Sequence, residues 1–124
     1  MIVTQNTQNQ ASVFNTLKAP SYLNLSLSGD QLLANNLCIH QLKRGNVLEV
    51  KQFLINGEVV LRLCKNGVAV AKIPSLFANQ MLRMRRKGVQ YKFEIKEIEK
   101  LPFMPPHKLD LLVTQYERQS IKAI

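Results

Sequence analysis

The chain has no tryptophan, only three tyrosines and five phenylalanines among 124 residues. Two histidines, His40 and His107, stand in separate segments, and the two cysteines, Cys38 and Cys64, lack a CxxC partner. A zinc site needs about four such ligands at close spacing, so no metal is expected. Cys38 and His40 would share one side of a strand, but a packed thiol beside an ordinary imidazole is the plainer reading. The five glycines stand singly and suit turns; the Gly-rich loops that cradle phosphates are absent, as is a nucleophile elbow. No catalytic residue, cofactor or enzyme activity is expected. No apolar run approaches the roughly 20 residues that cross a bilayer, and "MIVTQNTQNQ" has neither the charge nor the apolar stretch of a signal peptide. The expectation is a cytoplasmic protein with reduced, structural thiols and no membrane partner.

Anions are scarce too. Lys and Arg number 17 against 8 Asp and Glu, a formal charge of +9. Such a surplus favours polyanions, nucleic acid first. The alternative is a protein–protein interaction module whose charge meets an acidic partner, or one that self-associates.

The hydrophobic pattern is mainly of period two. Residues 1–19 are rich in Gln, Asn, Thr and Ser and read as a flexible polar tail; residues 117–124 read as a frayed end; residues 20–116 form the single domain. "SYLNLSLSG" puts Leu23, Leu25 and Leu27 on one side of a strand. Asp30 is placed as the cap of a short helical turn, "LCIHQL" as a second strand, and "KRGN" as a turn. "VLEVKQFLI", "VVLRLC" and "VAVAKI" are separated by Asn56-Gly57 and Asn66-Gly67, dipeptides suited to the positive φ angles of type I′ hairpin turns. A three-stranded meander over residues 47–73 follows, ended by Pro74, which has no N–H to donate. "VQYKFEIKEIEKL" alternates with a slip near Lys96-Glu97 that predicts a bulge, and its Glu94, Glu97 and Glu99 interleave with Lys92, Lys96 and Lys100 as a solvated face. "LDLLVTQY" is a short last strand. The sum is a mainly β fold: a small antiparallel, OB-like barrel of six to seven strands with one amphipathic helix.

That helix lies in "LFANQMLRMRRK". Phe77, Met81 and Met84 form its inward line, widened by Ala78 and Leu82. Ser75 is placed as N-cap and Gly88 as the residue that ends it with positive φ. Arg85 and Lys87 suit the negative end of the helix dipole. Asn79, Arg83 and Arg86 share an exposed face and are the nucleic-acid contacts proposed from periodicity. Arg62, Lys65 and Lys92 add cations that the fold must bring together, and Tyr22, Phe53, Tyr91 and Phe93 are the aromatics that base stacking would need, though the core is the plainer place for each.

The residues from Leu42 to Ile98 resemble the HIRAN domain, a small OB-like barrel that accompanies helicases, nucleases and chromatin remodellers. The matching order is "LKRGNVLEV", "VVLRLCKNGVAVAKIP", a helix ending "LRMRRKG", and "VQYKFEIKEI". The resemblance implies a non-catalytic DNA-binding domain, accessory to DNA processing. It implies that Lys43, Arg44 and Lys72 contact the nucleic-acid backbone.

Overall fold

The computed structural model describes residues 19–33 and 37–117. The polar tail and the frayed end expected from the sequence lie, apart from Ala19 and Glu117, outside the described residues. Among the described residues six strands form: β1 (Ser21–Ser28), β2 (Val47–Ile55), β3 (Glu58–Lys65), β4 (Val68–Lys72), β5 (Val89–Glu99) and β6 (Lys108–Glu117), with one α-helix, α1 (Ser75–Arg85), between β4 and β5. All pair antiparallel in one sheet of order β1-β6-β5-β2-β3-β4. The sheet is not a closed barrel. Its two edges touch once, where Leu32, beyond β1, bridges Ala71 of β4 and the Leu33 N–H donates to the Val70 carbonyl at 2.8 Å.

The leucine alternation of β1 builds the first half of the core. Leu23, Leu25 and Leu27 lie opposite Val113, Leu111 and Leu109 of β6, which lie in turn opposite Phe93, Ile95 and Ile98 of β5. The last row switches from odd to even numbers because the β5–β6 register shifts between Ile95 and Glu97. The extra residue keeps Ile98 on the core side where strict alternation would turn it outward. β6 is longer than the sequence suggested, ten residues against eight.

The second half is the expected meander. Asn56-Gly57 and Asn66-Gly67 have φ of 51°, 80°, 52° and 82°, the left-handed pairs of two-residue hairpins. Gly57→Val should cost more than about 1 kcal/mol, since a β-branched residue is strained at that φ; a urea midpoint measures it. Leu61, Leu63, Val70 and Ala71 are buried, and a register shift beside Leu63 turns both Val70 and Ala71 inward. Strand pairing joins the two halves where Val47 and Leu48 meet Glu94 and Phe93, supported by the Gly45 N–H to the Ile95 carbonyl and the Ile95 N–H to the Asn46 carbonyl; the Leu32–Ala71 bridge joins them at the outer edges.

Helix α1 covers this junction. Ala78 and Met81 are buried, Phe77, Leu82 and Met84 half-buried, as the periodicity predicts. Phe77 meets Tyr91 and Phe93 edge-on, with ring centroids 6.1 and 6.2 Å away. Its ends differ from expectation by one residue. Pro74 is the N-cap, accepting the Ala78 N–H at 2.8 Å, and Ser75 is already helical. Only the carbonyl of a cap must bond inward, and proline has one. At the other end Arg86 is the C-cap, and Gly88, φ 88°, turns the chain into β5 two residues later.

Two further expectations are corrected. The turn after β1 is a 3-10 helix at Gly29–Gln31, and Ser28 rather than Asp30 precedes it as cap; the Ser28 N–H donates to Gln31 Oε1 at 3.0 Å. "LCIHQL" is no strand: Leu37–Gln41 is a 3-10 helix. Ile39 and Leu42, three apart, are both buried while Leu37 is exposed. That spacing is the eclipsed i, i+3 repeat of a 3-10 turn, and period two mistakes it for alternation. Cys38 is half-buried and His40 exposed.

The β5–β6 connection carries the largest backbone anomaly. Phe103 has φ 63° and is fully exposed. A bulky L-residue in the left-handed region costs roughly 1–2 kcal/mol. Phe103→Asn, which tolerates that φ and forfeits no buried area, should therefore stabilise the fold by about 0.5–1 kcal/mol, read as a raised melting temperature.

Candidate nucleic-acid interface

Register decides which cations meet. Lys51 of β2 lies opposite Arg62 of β3, and Arg62 lies opposite Lys72 of β4. The three occupy one row across three neighbouring strands, on the face turned away from Leu61, Leu63 and Ala71. Directly opposed side chains have Cβ atoms about 5 Å apart, so the row spans roughly 10 Å. Lys51 and Lys72 are exposed and Arg62 half-buried. Among the described residues none of the three is in an ion pair. Like charges directly opposed across strands repel, so this row costs the fold something that an anionic ligand would return.

Beside the row lies an aromatic. Phe53, two residues along β2 on the same face, sits under the Arg62 guanidinium, whose central carbon is 5.4 Å from the ring centroid. This cation–π contact anchors the guanidinium beside the ring. The Arg62 Nε–H is buried and has no acceptor among the described residues. Cys64, next on this face, is fully buried. Burial pushes its thiol above the ordinary 9.0; Lys51 opposes that shift, Glu49 adds to it, and Arg62 opposes it. Tyr91, on the core side, is likewise raised above 10.0 by burial alone. Both groups are held neutral in the fold and ionise more readily unfolded. Their contribution is complete below pH 9 and is lost as pH climbs through 9 and 10 toward their folded values. Stability should therefore decline above about pH 9, and Cys64→Ala with Tyr91→Phe should flatten that decline in urea titrations at stepped pH.

The residues proposed from the sequence fall in three places. Lys72 is in the row. Lys43 and Arg44 form the turn before β2, where the Lys43 N–H donates to Asn46 Oδ1 at 2.8 Å and Arg44 pairs with Glu97 at 3.6 Å. Asn79, Arg83 and Arg86 are exposed on and just beyond α1, with Asn79 beside Val59, Val60 and Ile73 in a shallow depression. The structure does not gather the six onto one face. Of the other cations weighed, Arg62 joins the row, while Lys92 pairs with Glu94 at 3.9 Å. Of the aromatics, Phe93 is core, Tyr91 half-buried, Tyr22 exposed on the edge strand β1, and Phe53 lies with the row. Lys51 went unremarked in the sequence; counting across the two-residue turn at Asn56-Gly57 places it opposite Arg62.

A second feature is a cleft of about 420 Å³ where β2 and β5 diverge beyond Leu48 and Phe93. Val47, Val50, Met81, Tyr91 and Tyr116 line it, with Glu49, Arg85 and Lys92 among its polar groups. The Tyr91 hydroxyl is buried there without a partner among the described residues. No helix among the described residues is long and apolar enough to cross a membrane. No protein-family model, curated protein or solved structure matches the chain.

Proposed function

We propose that the protein is a non-catalytic nucleic-acid-binding domain, accessory to DNA processing, whose phosphate-binding face is the outer surface of β2, β3 and β4. The observation that carries this reading is the row Lys51–Arg62–Lys72, in no ion pair among the described residues, with Phe53 beside it. Lysines offer point charges to phosphate, and the arginine offers a planar fork anchored beside the ring. Oligonucleotide-binding barrels use the corresponding sheet surface, with aromatics and cations together. The resemblance of residues 42–98 to the HIRAN domain favours DNA as the ligand. The formal charge of +9 supplies long-range attraction.

The test is fluorescence anisotropy with labelled single- and double-stranded oligonucleotides. Three phosphate contacts to a single strand give a log–log salt slope of about −2, so raising salt fourfold should weaken binding roughly 20-fold. No binding at low salt, or binding indifferent to salt, would sink the proposal. Arg83→Ala with Arg86→Ala locates the alternative surface: the affinity should change less than with the sheet lysines removed. The reverse ranking would move the interface to the helix end.

A further inference from the structure

We propose that the β2–β5 cleft binds a small zwitterion, a free amino acid with an apolar side chain, at main-chain and side-chain groups that the fold leaves open there. Strand parity places the main-chain groups. The Ile95 N–H donates to the Asn46 carbonyl and the Ile95 carbonyl accepts from the Gly45 N–H, so both face the β2 side. Main-chain groups of a strand alternate sides, so those of Phe93 and then Tyr91 face β2 as well. Leu48 meets Phe93, and Val50, two places on, faces the same way as Leu48. Val50 and Tyr91 are thus next in the ladder, yet pairing stops at Leu48 and Phe93. Both residues line the cleft of about 420 Å³. Each turns an N–H and a carbonyl toward it without a partner among the described residues.

The side chains add charges of both signs. Arg85, at the end of α1, and Glu49 of β2 line the cleft, and among the described residues neither is in an ion pair. An α-carboxylate needs N–H donors and a cation; an α-ammonium needs carbonyls and a carboxylate. The cleft offers both sets. The buried Tyr91 hydroxyl, without a partner among the described residues, is a further donor. An apolar side chain finds Val50, Met81 and the Tyr91 ring, which belong to the core or pack against it. The volume falls in the range of roughly 300–1,000 Å³ that small-ligand sites occupy.

The same groups argue against longer occupants. β5 begins at Val89, so only Val89 and Tyr91 face β2 before Phe93 closes the gap. That wall suits one residue rather than a strand running through. The main chain of an interior peptide residue carries no charge and would leave Glu49 and Arg85 without partners, and Glu49 repels a phosphodiester. None of Lys51, Arg62 and Lys72 lines the cleft, so the inference stands apart from nucleic-acid binding. A bound amino acid bridges β2 and β5 where the ladder is interrupted, and so stabilises the junction of the two halves.

The experiment titrates isotope-labelled protein with L-phenylalanine, L-leucine and L-methionine, each to about 10 mM, and follows amide resonances, since so small a ligand binds weakly. At least one should give saturable shifts at the Val50 and Tyr91 amides and raise the melting temperature. N-acetylation removes the ammonium of that ligand and amidation its carboxylate; each should weaken binding by about tenfold or more. Glu49→Gln should weaken the free amino acid and leave the N-acetylated form unchanged. Arg85→Gln should weaken it and leave the amide unchanged. Both residues are exposed, so both variants should fold with the wild-type urea midpoint. No saturable binding by any of the three, binding indifferent to both blocked ends, or shifts that spare Val50 and Tyr91 overturns the proposal. So does tighter binding of the doubly blocked N-acetyl amide, which would assign the cleft to a peptide segment.

Discussion

Phe93→Ala should destabilise the fold by about 3–5 kcal/mol, the range for emptying a fully buried aromatic site. Phe93 is 0 % exposed and lies where three elements meet: opposite Leu48 on β2, opposite Val113 on β6, and edge-on to Phe77 of α1. The location matters beyond the volume lost. The β1-β6-β5 and β2-β3-β4 halves share only two register pairs, one of them Phe93's own. Only one neighbouring row of that pairing, Val47 with Glu94, is there to draw the cavity shut. A domain of this size has roughly 5–15 kcal/mol in total, so the variant should be only marginally folded at room temperature. Urea unfolding should show a lowered midpoint with the slope m unchanged if both halves still unfold together. Hydrogen exchange should find amides of β3 and β4 losing protection more than those of β5 and β6, because the meander is the half that detaches. Tyr22→Ala, on the exposed side of an edge strand, should stay within about 0.5 kcal/mol.

How much of this fold could be read from the sequence depends on whether local chemistry or long-range register sets each feature. The β1 strand, both Asn-Gly hairpins, the β5 bulge and the inward line of α1 were legible, because alternation, positive-φ dipeptides and helical period act within a few residues. "LCIHQL" was not, since a short apolar run such as Leu37-Cys38-Ile39 suits a buried strand about as well as a 3-10 turn, and packing of Ile39 and Leu42 against the core makes the choice. That the barrel stays open was not legible either: the two sheet edges meet only at one bridge, Leu32 to Ala71, between segments far apart in the chain.

The cation row shows the same division within one site. Lys51 opposite Arg62 follows from counting outward from Asn56-Gly57. Counting outward from Asn66-Gly67 in the same way sets Arg62 against Ala71. The register shift beside Leu63 moves it one place, to Lys72, and so turns an arginine–alanine pair into an unbroken line of three cations. A run of basic residues such as Arg85 to Lys87 is conspicuous in a sequence but needs no ligand, because a helix end accepts cations on its own account. Three single cations spread over 22 residues are inconspicuous, yet register brings them together where no carboxylate among the described residues pairs with them.

Lys51→Gln with Lys72→Gln should accordingly weaken oligonucleotide binding at low salt by about tenfold or more and make the salt slope shallower by about 1.4, two contacts at roughly 0.7 each on a single strand. Both lysines are exposed, so the pair should leave the urea midpoint unchanged or slightly raised, since it relieves repulsion with Arg62. Arg62 itself must be treated differently. Its side chain packs on Phe53 and has a buried Nε, so truncation would disturb the sheet as well as the site. Arg62→Lys keeps the charge and removes the planar fork: the salt slope should hold while affinity falls. Phe53→Leu should lower affinity through a guanidinium no longer anchored beside a ring, again with the slope retained. Slope thus reports the number of phosphates met, and affinity at constant slope reports how well Arg62 is placed. If the double glutamine variant binds as wild type does, with the same slope, the outer face of β2–β4 is not the interface.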